Sequence, residues 1–190
     1  MEKYKVYLFR HGQTCFNKNK IFTGWKESKL TPLGIKQAKK IALGLKNKRI
    51  GVAIETKLSR SKDTLKQVLK YHPECRKIII DNRMIERSYG DLEGKSHEFI
   101  IKKYGVNTFN QWHRGFRTRP PKGESFADVE KRVKSFIKYL RNLVKKEKTN
   151  IVISAHGNSI RLFRKIIEKK SEKQAVKWII PYDKYYTYSF

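Results

Sequence analysis

Apolar positions along the chain change spacing from segment to segment. Residues 4–9, YKVYLF, cluster as a buried strand. Thr31-Pro32 then reads as a helix N-cap and first helical residue, with Ile35, Ala38, Ile41, Ala42 and Leu45 following on one face. A second strand is expected at 50–56 and a second helix at 59–71, ending before Pro73. KIIID at 77–81 predicts a third strand. The stretch 82–124 is the least regular, and one short helical segment near 96–104 is expected in it. A long amphipathic helix follows, because Phe126, Val129, Val133, Phe136, Ile137, Leu140 and Val144 recur at spacings of three and four. NIVISA at 150–155 reads as a continuous apolar strand, Gly157 opens another helical stretch, and YYTYSF at 185–190 predicts a last strand.

Strands that alternate with helices predict an α/β fold, a three-layer α/β/α arrangement with a mostly parallel sheet flanked by helices. The chain shows neither repeat nor linker, so residues 1–190 read as one domain with an irregular cap at about 82–124. In such sheets, ligands bind beyond the carboxyl ends of the strands. Four polar clusters fall at those ends or in adjoining loops: Arg10-His11-Gly12, Ser59-Arg60, Glu86-Arg87 and His156-Gly157-Asn158. Two histidines, several arginines and a glutamate are therefore expected at one mouth.

Charge narrows the choice of ligand. Lys and Arg total 45 against 17 acids, a net charge of +28 that favours anionic ligands. The lysines are scattered, and no zinc-finger spacing, RNP-type motif or heptad-plus-basic region is present, so nucleic acid is not expected as the main ligand. No apolar run approaches the roughly 20 residues of a membrane span, and the N-terminus lacks a signal-peptide layout. The two cysteines, Cys15 and Cys75, suit neither a disulfide framework nor a zinc site. A cytoplasmic protein is expected.

The clustered residues suit phosphoryl transfer. A neutral imidazole can attack phosphorus and pass the phosphoryl group on. Charge on the equatorial oxygens in flight is stabilised by flanking cations. Arg10 and Arg60 can each grip two oxygens, His156 adds a donor if protonated, and Glu86 is the candidate to give and retake a proton at the leaving oxygen. No metal is required, since the Arg/His set supplies the positive charge.

The motifs resemble those of the histidine phosphatase superfamily, and more narrowly the cofactor-dependent phosphoglycerate mutases. RHGQT resembles the family signature around a phosphorylated histidine, here His11. NKNKIFTGW at 17–25 resembles the mutase segment that brings Asn17, Thr23 and Gly24 to the pocket. LSRSKDT gives Arg60, and ERSYGDLEG gives Glu86 as acid/base with Arg87 and Tyr89 beside it as substrate contacts. WHRGF supplies His113 and Arg114, and SAHGNSIR supplies His156, Gly157 and Asn158. The resemblance implies a phosphoglycerate mutase-like fold, a small phosphorylated acid as substrate and 2,3-bisphosphoglycerate as primer. It also implies interconversion of 3- and 2-phosphoglycerate through a phosphohistidine, and pairing of two copies as a homodimer.

Three departures keep a phosphomonoester hydrolase using the same His11 and Glu86 as the alternative. His97 stands where the mutases carry Lys, and His113-Arg114 where they carry Arg-Arg. RTRPPKGES shortens the segment before Glu124-Ser125, and the tail after the last strand is short. The aromatic run Tyr182, Tyr185, Tyr186, Tyr188 and Phe190 is expected to pack on the sheet, with cover of the pocket mouth as the other option.

Overall fold

The computed structural model describes residues 4–190. Its centre is a five-stranded sheet of order β3-β2-β4-β1-β5, built from β1 (Lys5–Arg10), β2 (Val52–Glu55), β3 (Lys77–Ile80), β4 (Ile151–Ala155) and β5 (Tyr185–Ser189). The first four run parallel, and β5 pairs antiparallel with β1, Leu8 opposite Tyr186. The strands are short and lie where the apolar pattern puts them.

Side-chain alternation along β1 explains the layering. Val6 and Leu8 enter one core while Tyr7 and Phe9 enter the other. Such a strand needs cover on both faces. One face is covered by α5 (Phe126–Glu147) and α6 (Gly157–Ile167), through Val133, Phe136, Leu140, Ile160 and Phe163. The other is covered by α2 (Pro32–Leu45) and α3 (Ser59–Leu69), through Ile41, Leu45, Leu65 and Val68. Two short helices, α1 (Cys15–Lys18) and α7 (Glu172–Lys177), lie in the connections. The three-layer expectation is met.

Two local expectations need correction. Ile35 is 40% exposed, and the buried row of α2 starts at Gly34 instead. A Cβ on Gly34 would come within 2.1 Å of the Gln13 carbonyl oxygen, and one on Gly12 within 2.2 Å of the Gly34 carbonyl oxygen. The first turn of α2 is thus pressed backbone to backbone against the loop that follows β1. The cap helix is also longer than the segment at 96–104: α4 spans His97–Arg114 and kinks at Gly105, whose φ of 82° and ψ of 158° are not helical. Ile100 and Phe109, one on each side of the kink, are its buried residues and pack with Phe22, Tyr89 and Leu92 as a separate cap core.

The glycine contact sets a stability prediction. Gly12→Ala and Gly34→Ala should each lower unfolding free energy by about 3 kcal/mol in urea titrations, the upper range for overpacking a tight interior. A loss below about 1 kcal/mol would show that the loop can back away from α2.

Candidate active site

Each residue of Arg10-His11-Gly12-Gln13-Thr14 has a task at the end of β1. Arg10 closes the strand, and the His11 amide donates to the Ala155 carbonyl at 3.0 Å, carrying the β1–β4 pairing one residue further. Gly12 permits the approach to α2, and its amide donates to Thr64 Oγ1 of α3 at 3.0 Å. The Gln13 carbonyl accepts from the Thr31 amide at 2.9 Å, and Thr14 caps α1. The His11 imidazole is therefore fixed by its backbone on three sides.

His11 Nδ1 lies 2.8 Å from the Gly12 carbonyl oxygen. A carbonyl only accepts, so Nδ1 carries the hydrogen and Nε2 keeps its lone pair. Burial first, then Arg60 and Arg10, hold the imidazole well below its ordinary pKa range. It is neutral at pH 7, the form a nucleophile requires. His156 packs beside it with ring centroids 5.0 Å apart, and its Nε2 is 2.8 Å from Thr56 Oγ1. Burial, Arg60 and His11 lower its pKa as well, so in this state it is not the extra cation expected from sequence.

The guanidinium groups are held by backbone carbonyls. Arg60, in the first turn of α3, donates to Gly24 O at 2.7 Å and Lys26 O at 2.8 Å. Arg10 donates to Ile180 O at 3.0 Å and stacks 3.9 Å over the Tyr182 ring. Arg10 Nε, Arg60 Nε and His156 Nδ1 are buried with no hydrogen-bond partner. Native proteins seldom leave such groups unpaired, and here three of them belong to one residue cluster around His11.

Among the described residues, Glu86 is not part of a salt bridge. Arg83 pairs with Asp81, and Arg87 meets Glu86 only through its backbone amide, at 2.8 Å from Oε1. The same Oε1 accepts from the Asn158 amide at 3.1 Å, in the first turn of α6, where the helix dipole favours a carboxylate. Asn158 continues outward, its Nδ2 donating to Tyr89 Oη at 3.2 Å and its Oδ1 accepting from Arg161 at 2.7 Å.

A cavity of about 370 Å³ joins these groups. It is lined by His11, Arg10, Arg60, Glu86, Asn17, Thr23, Gly24, Tyr89, His97, His113, Arg114, Gly157 and Asn158, all expected from sequence. Two expected residues are elsewhere. His156 lies behind His11, fully buried. Arg87 does not line the cavity: its guanidinium turns away to Trp112 O at 2.6 Å, between the Tyr89 and Phe126 rings at 4.4 Å each, and caps the end of α4. Arg117 and Arg119 are taken up by Glu172 and Asp128.

Sequence reasoning missed Lys20 and Arg161, which also line the cavity, as does Tyr182, the member of the aromatic run that takes the other option of covering the pocket. Arg161 follows Asn158 by one helical turn, a spacing that could have revealed it. Burial lowers its pKa to about 10, so it stays charged at neutrality. Of the aromatic run, Tyr182 reaches the cavity, while Tyr185, Tyr186 and Tyr188 lie in β5 and pack on the cores. His97 and His113 pack against each other and against Phe22 and Phe109 with tilted or edge-on rings, centroids 4.4–5.7 Å apart. Burial and neighbouring cations depress both, His113 to about 2, so neither carries charge at pH 7. Among the described residues, no cluster of three or more His, Cys, Asp or Glu could hold a metal, and no helix is long and apolar enough to cross a membrane.

Fold and site together define an α/β protein with a cationic pocket built on a histidine pair. Residues 6–189 match the histidine phosphatase superfamily (branch 1). A phosphoglycerate mutase of Schizosaccharomyces pombe is 35% identical over 175 residues, covering 90% of this chain and 82% of the relative. The 2,3-bisphosphoglycerate-dependent phosphoglycerate mutase of Pseudoalteromonas atlantica is 28% identical over 193 residues, covering 88% and 85%. Among solved structures, phosphoglycerate mutase from Bacillus anthracis superposes with a TM-score of 0.82 at 21% identity, covering 100% of this chain and 88% of its own. A mycobacterial glucosyl-3-phosphoglycerate phosphatase gives 0.83 at 21% identity, covering 97% and 90%. The chain is an enzyme of the histidine phosphatase superfamily.

The two depressed imidazoles predict an NMR outcome. Long-range proton–nitrogen spectra at pH 6 should show His11 as the neutral Nδ1–H form and His156 uncharged, neither titrating near 6.5. Their neutrality in the fold also means that stability falls as pH drops below about 6.5, where the unfolded chain takes up protons and the native site does not. A His11 midpoint near 6.5 would contradict both statements.

Proposed function

We propose that the enzyme is a 2,3-bisphosphoglycerate-dependent phosphoglycerate mutase, interconverting 3- and 2-phosphoglycerate through a phosphohistidine at His11. One observation carries the choice of substrate class. Five cationic side chains, Arg10, Lys20, Arg60, Arg114 and Arg161, line the cavity against one carboxylate, Glu86. A single phosphoryl group occupies two forked guanidinium groups at most in the Arg10/Arg60 arrangement. The remaining three cations suit a second anionic group on the same small molecule, a carboxylate or another phosphate. The same set suits a bisphosphate primer. The mutase names of the relatives described above point the same way.

In this reading, His11 Nε2 attacks phosphorus as the bond to the substrate oxygen breaks, and Glu86 protonates that oxygen. Arg10 and Arg60 hold the phosphoryl oxygens, and the free N–H groups at their Nε atoms are available for the charge that builds in flight. On return, Glu86 takes the proton from the accepting hydroxyl, and the N–P bond breaks as the new O–P bond forms. His156 does not line the cavity and supports His11 by packing against its ring.

A second reading, a phosphomonoester hydrolase, has its own observation. His97 and His113 are neutral aromatic wall at two positions where the mutases they resemble carry fixed charge. A pocket with less charge for the second group would let the accepting hydroxyl be replaced by water.

Phosphorus NMR of the protein with 3-phosphoglycerate, with and without catalytic 2,3-bisphosphoglycerate, separates the two. The mutase gives bisphosphate-dependent 2-phosphoglycerate. Inorganic phosphate without the 2-isomer would leave the hydrolase. His11→Ala should lower either activity by more than about 10³-fold, and an unaffected rate would defeat both. Arg161→Met should raise KM for the acid phosphate about tenfold, the loss of one charge-assisted contact of roughly 1.5 kcal/mol.

A further inference from the structure

The loop that carries Glu86 has little regular structure of its own. After the 3-10 turn Asn82–Met84, the chain runs through Ile85 to Ser88 without strand or helix, and its peptide groups must find partners elsewhere. One side chain supplies donors to three carbonyls of residues 83–86. Arg132, on α5, donates to Arg83 O and Ile85 O at 2.8 Å each and to Glu86 O at 3.0 Å. Its other two N–H groups reach Glu124 Oε1 and Oε2, both at 3.0 Å. All five donors of the guanidinium are used, in the planar fork that only Arg offers. Glu124 closes the clamp: Oε2 accepts from the Ser88 amide at 2.9 Å, and the Glu124 amide donates to the Ser88 carbonyl at 2.9 Å. Trp25 Nε1 adds a second donor to Glu86 O at 2.7 Å.

We propose that Arg132, braced by Glu124, is a positioning residue for proton transfer: it sets the backbone of residues 83–88 so that the Glu86 carboxyl meets the leaving oxygen. Arg132 does not line the cavity and touches no reacting atom. It acts on Glu86 from the main-chain side, while the carboxylate itself is anchored from the other side by the Asn158 amide. A change at Arg132 moves the acid and leaves the His11, Arg10 and Arg60 contacts, which belong to other elements, in place. The inference rests on the phosphoryl-transfer reading of His11 and Glu86, and holds for mutase and hydrolase alike.

Leaving groups distinguish positioning from general support. A nitrophenolate departs as a stabilised anion and needs little proton transfer, whereas an alkoxide needs a well-placed acid. Turnover of p-nitrophenyl phosphate, read as nitrophenolate, and of an alkyl phosphate, 3-phosphoglycerate with catalytic 2,3-bisphosphoglycerate, read as 2-phosphoglycerate plus inorganic phosphate, is measured for the wild type, Glu86→Gln, Arg132→Lys and Glu124→Gln, with each variant's fold checked by circular dichroism. The alkyl-to-aryl rate ratio should fall about 100-fold in Glu86→Gln and Arg132→Lys, within the usual contribution of a general acid, and about tenfold in Glu124→Gln. If Arg132→Lys does not fold, Glu124→Gln carries the test. A ratio that drops in Glu86→Gln but stays at the wild-type value in the folded clamp variants, even with both rates reduced, would overturn the proposal. A ratio unchanged in Glu86→Gln would instead sink the acid/base assignment, and the positioning role with it.

Discussion

Burying guanidinium groups next to uncharged imidazoles is the constraint around which this protein is arranged. Arg60 is 1% exposed and has no carboxylate hydrogen-bonded to it. A buried charge of this kind must find solvation inside the protein. Backbone carbonyls provide it, and they come from segments far away in sequence. Gly24 and Lys26 serve Arg60, while Ile180, Val176 and Trp178 serve Arg10, Arg114 and Arg161. The arginines therefore shape two irregular segments, one between α1 and α2 and one between α7 and β5, as walls of the cavity. Arg10 Nε, Arg60 Nε and His156 Nδ1 are left without a hydrogen-bond partner among the described residues.

Burial, and after it the same cations, set the protonation state of His11. A histidine between two arginines and under full burial stays neutral, and the Gly12 carbonyl decides which nitrogen holds the proton. Glu86 is fixed at both ends, its carboxylate by the α6 amino terminus and its main chain by the Arg132–Glu124 clamp. Charge and position are thus controlled by different residues.

Further out, where the cap meets the C-terminal segment, the cavity has two unlike sides. The tilted rings of Phe22, His97, Phe109 and His113 form a neutral side, and Lys20, Arg114 and Arg161 form a charged one. Arg161 supplies, from α6, a fixed guanidinium in a cavity where His113 cannot supply one. A phosphatase and a mutase superpose almost equally well on this backbone, so the fold alone leaves the reaction open.

The sequence by itself determined the layered sheet, the order of strands and helices, and the identity of His11, Arg10, Arg60, Glu86 and His156 as one group. These are properties of short segments: strand and helix periods, caps, and a strand end that must place its next residues at the sheet's edge. It did not determine the depressed pKa values of His11, His97, His113 and His156, the turning of Arg87 away toward α4, the entry of Arg161, the choice of Tyr182 between sheet and pocket, or the length of α4 beyond Gly105. Each of those depends on partners brought together from distant parts of the chain: Arg87 on the last turn of α4, Tyr182 on Arg10, and each imidazole on the depth at which it is buried. Local patterning fixes where a residue sits along its element, whereas only packing fixes what surrounds it, and charge state and hydrogen-bond partners follow from the surroundings.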